Sequence, residues 1–359
     1  MLDAISINAF KSFPAKTIHF KRLNVLTGLN NSGKSTILQA IRMCDPNKGP
    51  YLEGLGYFSE IRSKYSPSQE DVVLSLEKQG SSVACLKLNS QGHQYTKEEN
   101  DLPLMEYIGA DRYGPRVALP IIEEDFSNFS VGQYGQYSAH YAKIFENIIV
   151  HPDLRHKDSA SNTLRHQLIK WMGEVSPGVK LEFDVASRYD SSSIVVDENR
   201  STNSGFGLSY SLPIVLALLT LTGELGADDS NVKLPIWYDR IRITGAALLI
   251  ENPEAHLHPR GQTSMGRLIA LAASAGLQIF LETHSDHLLD GIRLGVKNSN
   301  GKLIGDDVRI KYFTKTEKFG SEVHDIALRN DGKIEHWPAG FFDQFSLNLR
   351  ALSTNNGSN

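Results

Sequence analysis

The sequence predicts an α/β fold: a mostly parallel sheet flanked by helices, with an N-terminal antiparallel β lobe and a mostly helical insert. Three observations carry this. The run at 246–250 is wholly apolar and that at 277–281 is interrupted only by Gln278, as in strands buried on both faces. Helical segments at 210–222 and about 261–274 alternate with them, the order that builds a parallel sheet covered on both sides. Third, Gly28-Leu29-Asn30-Asn31-Ser32-Gly33-Lys34-Ser35-Thr36 stands between the apolar run 23–27 and a helix from Ser35, the strand–loop–helix context of a phosphate-binding loop.

In chain order, short strands are expected at 5–7, 17–20, 24–26, 72–76 and 82–88. Residues 1–111 therefore read as the β lobe with the P-loop, and 112–180, with a helical segment around 164–171, as the insert. Residues 181–305 read as the second lobe. Strands at 308–313 and 323–328 and a turn at Asn330-Asp331-Gly332 make 306–352 a small C-terminal extension, and the polar tail 353–359 is expected to be disordered.

At 359 residues the chain can bury a large core, and a net charge of −4 argues against a surface broadly committed to phosphate backbones. Cys44 and Cys85 form no C-x-x-C pair, which argues against a disulfide framework and cysteine zinc sites and suits the cytoplasm. The greasy stretch 208–221 is broken by Ser209, Ser211, Pro213 and Thr220 and is shorter than the roughly 20 residues a bilayer needs, so no membrane contact is expected. The N-terminus reads as a strand and shows no export signal.

Each P-loop residue has a physical task. Gly28 and Gly33 let the backbone curl so that successive N–H groups face a phosphate. Lys34 supplies a mobile positive charge, Ser35 a hydroxyl for Mg²⁺, and the helix start a favourable dipole. These residues call for ATP or GTP; no Asn-Lys-x-Asp guanine motif occurs, because Asn47-Lys48-Gly49-Pro50 fails at Pro50. The run 246–250 ends in Glu251, expected beside the P-loop strand as a second magnesium anchor. The run 277–281 leads through Glu282-Thr283 to His284, which could hydrogen-bond a γ-phosphate and the attacking water. Ser204-Gly205-Phe206-Gly207-Leu208-Ser209 precedes the apolar helix and offers a second anion site, with Ser209 as the expected N-cap.

P-loop, Gly/Ser helix start, acidic strand end and strand-end His, in that order, resemble the ABC-type ATPase heads of SMC, Rad50 and RecF proteins. Phe10-Lys11-Ser12-Phe13, Glu251-Asn252-Pro253-Glu254-Ala255-His256-Leu257-His258-Pro259 and Glu282-Thr283-His284-Ser285 are similar to the AAA-family ATPase half of overcoming-lysogenization-defect nucleases. The ending 332–342 resembles a stand-alone branch of that group, often encoded in prokaryotic anti-phage defence operons. The resemblance implies an ATP- and Mg²⁺-dependent ATPase whose heads dimerise around nucleotide. Asn30, Asn31, Ser32, Gly33, Lys34, Ser35, Thr36, Glu251 and His284 would act in cis, and Gly207 and Ser209, with Ser204 and Gly205 as the alternative register, across the dimer. It implies a separate effector, a nuclease or toxin from the same operon, or engagement of DNA or RNA; a nucleotide-sensing scaffold with little turnover is the alternative. This chain departs from the family at Asn252, where a water-polarising Glu is usual; an amide takes no proton, so hydrolysis is expected to be slow or to use Glu254.

Two weaker signals complete the reading. Arg112 and Arg116 are expected as exposed structural residues. Tyr134, Tyr137, Tyr141, Lys143 and Arg155 interleave aromatic and basic groups as single-strand binders do, opposed by Glu123, Glu124 and Asp125. No acidic cluster or His-Asn-His arrangement of a nuclease is present.

Overall fold

The computed structural model describes residues 1–97, 102–123, 129–176, 181–196, 199–200, 205–226 and 233–353. Ser204, Glu124, Asp125 and 354–359 of the tail lie outside the described residues.

The strands are β1 (Ala4–Phe10), β2 (Phe13–His19), β3 (Leu23–Gly28), β4 (Val72–Lys78), β5 (Ser81–Asn89), β6 (Gly92–Lys97), β7 (Leu104–Ile108), β8 (Leu119–Pro120), β9 (Leu181–Ala186), β10 (Ser191–Val196), β11 (Asn199–Arg200), β12 (Ala246–Glu251), β13 (Gln278–Glu282), β14 (Val308–Thr316) and β15 (Gly320–Ile326). The helices are α1 (Lys34–Met43), α2 (Phe58–Ile61), α3 (Ser138–Ile144), α4 (Leu164–Val175), α5 (Phe206–Leu221), α6 (Leu234–Thr244), α7 (Pro259–Ser274), α8 (Asp286–Asn298) and α9 (Gln344–Ser353).

β2-β1-β4-β5-β6 form the antiparallel sheet of the N-terminal lobe, and β15-β14-β3-β13-β12-β7 form the central sheet. In the central sheet only the β14–β15 pairing is antiparallel. A third, small antiparallel sheet joins β8, β9, β10 and β11. Side chains alternate across the central sheet, as the pleat requires. Leu26, Ala247, Leu249, Phe280 and Phe313 pack in one core with Ile37 and Ile41 of α1 and the antiparallel sheet. Val25, Leu248, Ile250, Ile279 and Leu281 pack in the other with α5, α7 and α8. The expected α/β class with an antiparallel β lobe is what the chain adopts.

Several local expectations change. β13 lies between β3 and β12, so Glu251 is one strand away from the P-loop strand and not beside it. β14 pairs in parallel with β3, from Val308 opposite Leu23 to Phe313 opposite Gly28, so residues read as a C-terminal extension complete the central sheet. α5 starts at Phe206, four residues before the expected 210, because Leu208 and Leu212, one turn apart, are both buried. Tyr141 is 2% exposed with its hydroxyl on Thr220 at 2.8 Å, so it belongs to the core and leaves the aromatic–basic pattern. Among the described residues no helix is long and apolar enough to cross a membrane.

Candidate nucleotide site at the strand ends

The P-loop turns out of β3 through Gly28 at φ 138°, Asn31 at 61° and Gly33 at 103°. Gly28 has a packing reason as well, since a Cβ there would sit 2.3 Å from the Phe313 carbonyl oxygen on β14. Lys34 is 3% exposed, and its ammonium donates to the carbonyls of Gly28 at 3.1 Å and Leu29 at 2.9 Å. The loop faces a cavity of about 690 Å³ lined by Asn30, Asn31, Gly33, Lys34, Ser35 and Thr36. Lys11, Arg62, Lys64 and Lys315 stand on its walls with Tyr65 and Glu282, a basic rim matched to a polyphosphate. Ser32 is buried, and its Oγ has no partner.

Two carboxylates meet behind the loop. In the parallel β12–β13 pair Glu251 lies opposite Glu282. Glu282, to which the sequence reading assigned no role, is buried and accepts a hydrogen bond from Ser35 Oγ at 2.7 Å. Its other oxygen is 3.6 Å from the Lys34 ammonium. Burial pushes the Lys34 ammonium down and the Glu282 carboxyl up, and the pair's mutual attraction opposes both shifts. Glu282 ends the apolar stretch Ile279-Phe280-Leu281 much as Glu251 ends its own, so the signal that selected one could have selected both. Glu251 accepts instead from the Tyr107 hydroxyl at 3.0 Å, and the Arg42 guanidinium stacks 3.5 Å over that ring.

Arg112 is a correction. It is buried, and its guanidinium donates to the carbonyls of Gly109 at 2.6 Å, Glu251 at 2.7 Å and Asn252 at 2.7 Å. It pins the carboxyl end of β12 to that of β7, and burial lowers its pKa to about 10. The run Arg112–Arg116 carries no sequence signal for this, since burial of the first arginine is decided by the strand ends around it.

Asn252 follows at φ 45°, its N–H donating to the Glu282 carbonyl at 2.9 Å, while its buried side-chain Oδ1 has no partner. Glu254 holds the His loop: one oxygen accepts from the His284 N–H at 2.8 Å, the other from the Thr283 hydroxyl at 2.9 Å. Burial raises the Glu254 carboxyl above its ordinary value. His284 is exposed, and its imidazole pKa is lowered first by partial desolvation and then by the charge of Lys34.

The Gly/Ser helix start does not join this cavity among the described residues. Gly205 is the N-cap of α5, and Ser209 sits inside the first turns, so the expected serine cap is corrected. A Cβ on Gly207 would lie 2.8 Å from the His256 carbonyl oxygen, so α5 is seated directly on the loop after β12. Ser209 faces a small niche with Tyr113, Gly114 and Arg116, and its buried Oγ has no partner.

The Ser35 hydroxyl and the Glu282 and Glu251 carboxylates are hard oxygen donors, the set that suits Mg²⁺. Among the described residues no three His, Cys, Asp or Glu side chains converge, so phosphate and water oxygens would complete the ion's shell.

Residues 1–103 and 120–289 match the family model AAA_15, described as AAA ATPase domain. The chain belongs to this AAA ATPase family. Residues 305–352 of this AAA-family chain match a second model, a protein of unknown function (DUF3696). No curated protein matches it in sequence. Among solved structures it is similar to the Smc head domain with an extended coiled coil bound to the C-terminal domain of ScpA, derived from Pyrococcus furiosus. That match is at 12% identity and TM-score 0.48 over 98% of this chain and 99% of the other. It is also similar to an SmcHead bound to the C-winged helix domain of ScpA, at 13%, 0.48, 91% and 98%, and to RecF with ATP, at 13%, 0.46, 90% and 97%.

Proposed function

We propose that this AAA-family chain is a cytoplasmic, ABC-type ATPase that binds Mg²⁺–ATP at the P-loop, hydrolyses it slowly, and dimerises head to head around the nucleotide to regulate a separate effector. The observation that carries the reading is the P-loop with Lys34 and Ser35 in a basic cavity, set against the strand-end carboxylate of Glu282, with Glu251 opposite it on the next strand. Gly28, Asn30, Asn31, Ser32, Gly33 and Thr36 form the phosphate cradle, and Lys34 reaches the terminal phosphates. Mg²⁺, held through Ser35 and the strand-end carboxylates, would neutralise charge on the transferring phosphoryl group. His284 orients the γ-phosphate and the water.

Slow turnover rests on Asn252. Its amide orients water but takes no proton, and without a general base the rate is lower by roughly 10²–10⁴-fold. Glu254 is the candidate base, since burial brings its carboxyl closer to neutrality while Thr283 and His284 fix its position. Gly207 and Ser209 act on the nucleotide of a second subunit, a role supported by the unpartnered Ser209 hydroxyl. A nuclease or toxin encoded alongside, or nucleic acid, is the regulated partner, and anti-phage defence its setting, by resemblance of the motifs.

Size exclusion under ATP and under ADP, with phosphate release measured in parallel, tests this reading. A dimer with ATP and a monomer with ADP, with measurable turnover, supports it; a monomer in both states overturns the sandwich. Glu254→Gln should trap the ATP-bound dimer, and hydrolysis at the parental rate removes Glu254 as base. Dimerisation without phosphate release would favour the second reading, a nucleotide-sensing scaffold, to which Asn252 also points. Co-purification with the products of neighbouring genes identifies the effector.

A further inference from the structure

The Mg²⁺–ATP reading of the cavity, on which this inference rests, treats Glu282 and Glu251 alike, and the contacts of Glu282 set it apart. It touches both groups that nucleotide needs: Ser35 Oγ at 2.7 Å and the Lys34 ammonium at 3.6 Å. Glu251 is the neighbour in register, but its carboxylate is taken by Tyr107 one strand farther from the P-loop strand. We infer that Glu282 meets the metal alongside Glu251, and that until the metal arrives it alone holds Lys34 and Ser35, so that ATP binds well only together with its cation.

The coupling is electrostatic. Glu282 is 7% exposed, and a buried carboxylate is strongly disfavoured unless a positive or hydrogen-bonding group compensates it. Here Lys34 and Ser35 compensate it. Metal-free ATP draws Lys34 onto its phosphates and leaves Glu282 uncompensated next to further negative charge. A divalent cation takes up the carboxylate, and Lys34 and the Ser35 hydroxyl turn to the phosphates and the ion without stranding it.

ATP is titrated calorimetrically into the full-length parent, Glu282→Gln, Glu251→Gln and Lys34→Ala, once with excess Mg²⁺ and once with excess EDTA, after thermal melts show each variant folded. The parent should bind Mg²⁺–ATP at least about tenfold more tightly than metal-free ATP. In Glu282→Gln the metal-free affinity should rise by about tenfold and the preference for Mg²⁺ should collapse. Glu251→Gln should keep most of the preference, and Lys34→Ala should weaken both forms. Mn²⁺ resonance in the ATP complex gives a second readout, with ion affinity falling in Glu282→Gln. If Glu282→Gln does not fold, Glu282→Asp takes its place, and the shortened side chain should weaken Mn²⁺ binding and raise metal-free ATP affinity. An unchanged preference in the Glu282 variant, or loss of it only in Glu251→Gln, overturns the inference while leaving the ATP site standing. A folded parent that binds ATP in neither condition overturns the site and the inference together.

Discussion

The two candidate anion sites of this molecule are built differently. At the P-loop the buried charges have partners inside the chain: Lys34 on two carbonyls and Glu282, Glu282 on Ser35, Glu254 on the His loop. At the start of α5 the N-cap is an exposed glycine with no capping side chain, and Ser209 keeps a buried hydroxyl without a partner. In the first, bonds between charged groups must be exchanged when ligand arrives, although the Ser32 hydroxyl and the Asn252 amide oxygen are also without partners. The second holds no charge pair at all, only an uncapped helix start and a buried hydroxyl.

Substitutions in the charge-paired half should be costly to the isolated chain, and those at the α5 start should not. The largest effect is expected for Gly28→Ala, whose methyl would meet the Phe313 carbonyl at 2.3 Å on a backbone at φ 138°. A loss of about 4 kcal/mol in urea unfolding, with ATP binding abolished, is the expected outcome, and a near-parental midpoint would mean the β3–β14 contact yields. Arg112→Gln comes next, because three strand-end carbonyls lose their shared donor in a buried place. About 3 kcal/mol is expected, together with slower turnover, since the end of β12 is released.

A smaller effect, dependent on pH, belongs to Glu106 on β7. It is buried and accepts from the Ser130 hydroxyl at 2.7 Å and the Val131 N–H at 3.1 Å, and burial raises its pKa from 4.5 to about 7. The unfolded chain releases this proton first, so the stabilising contribution is complete below 4.5 and is lost as pH rises to about 7. Glu106→Gln should flatten that dependence and gain about 2–3 kcal/mol over the parent at pH 8. Chemical denaturation at pH 5 and pH 8 checks it, and equal slopes for the two proteins would place the titration elsewhere. The smallest effect on the isolated chain is expected for Ser209→Ala, under about 1 kcal/mol, since no hydrogen bond is lost. If the α5 start is completed by a second subunit, the same change should weaken ATP-dependent dimerisation, measured by sedimentation, while leaving monomer melting unchanged.

Much of the P-loop half was legible because its signals are local. Gly28 and Gly33 are demanded by backbone angles, and Lys34-Ser35 by their place at a helix start. Glu251 was found by the apolar run it ends, and the same rule applied to β13 would have found Glu282. Arg112 was misread because its three carbonyl partners come from the ends of two different strands, which meet only once the sheet order exists. The cap of α5 was misplaced because serine is a good cap by propensity, whereas burial of Leu208 and the approach of Gly207 to His256 extended the helix upstream.

The sequence by itself determined the α/β class, the strand–loop–helix of the phosphate cradle and the acidic ends of two buried strands, because each depends on periodicity or backbone angles within a few neighbouring residues. Only the tertiary structure decided that β13 lies between β3 and β12, that β14 closes the sheet beside the P-loop strand, and that Glu282 is therefore the carboxylate in contact with Lys34 and Ser35. Strand order is set by packing of the two faces of the sheet over hundreds of residues, and no local pattern encodes which strand end comes to stand against which side chain.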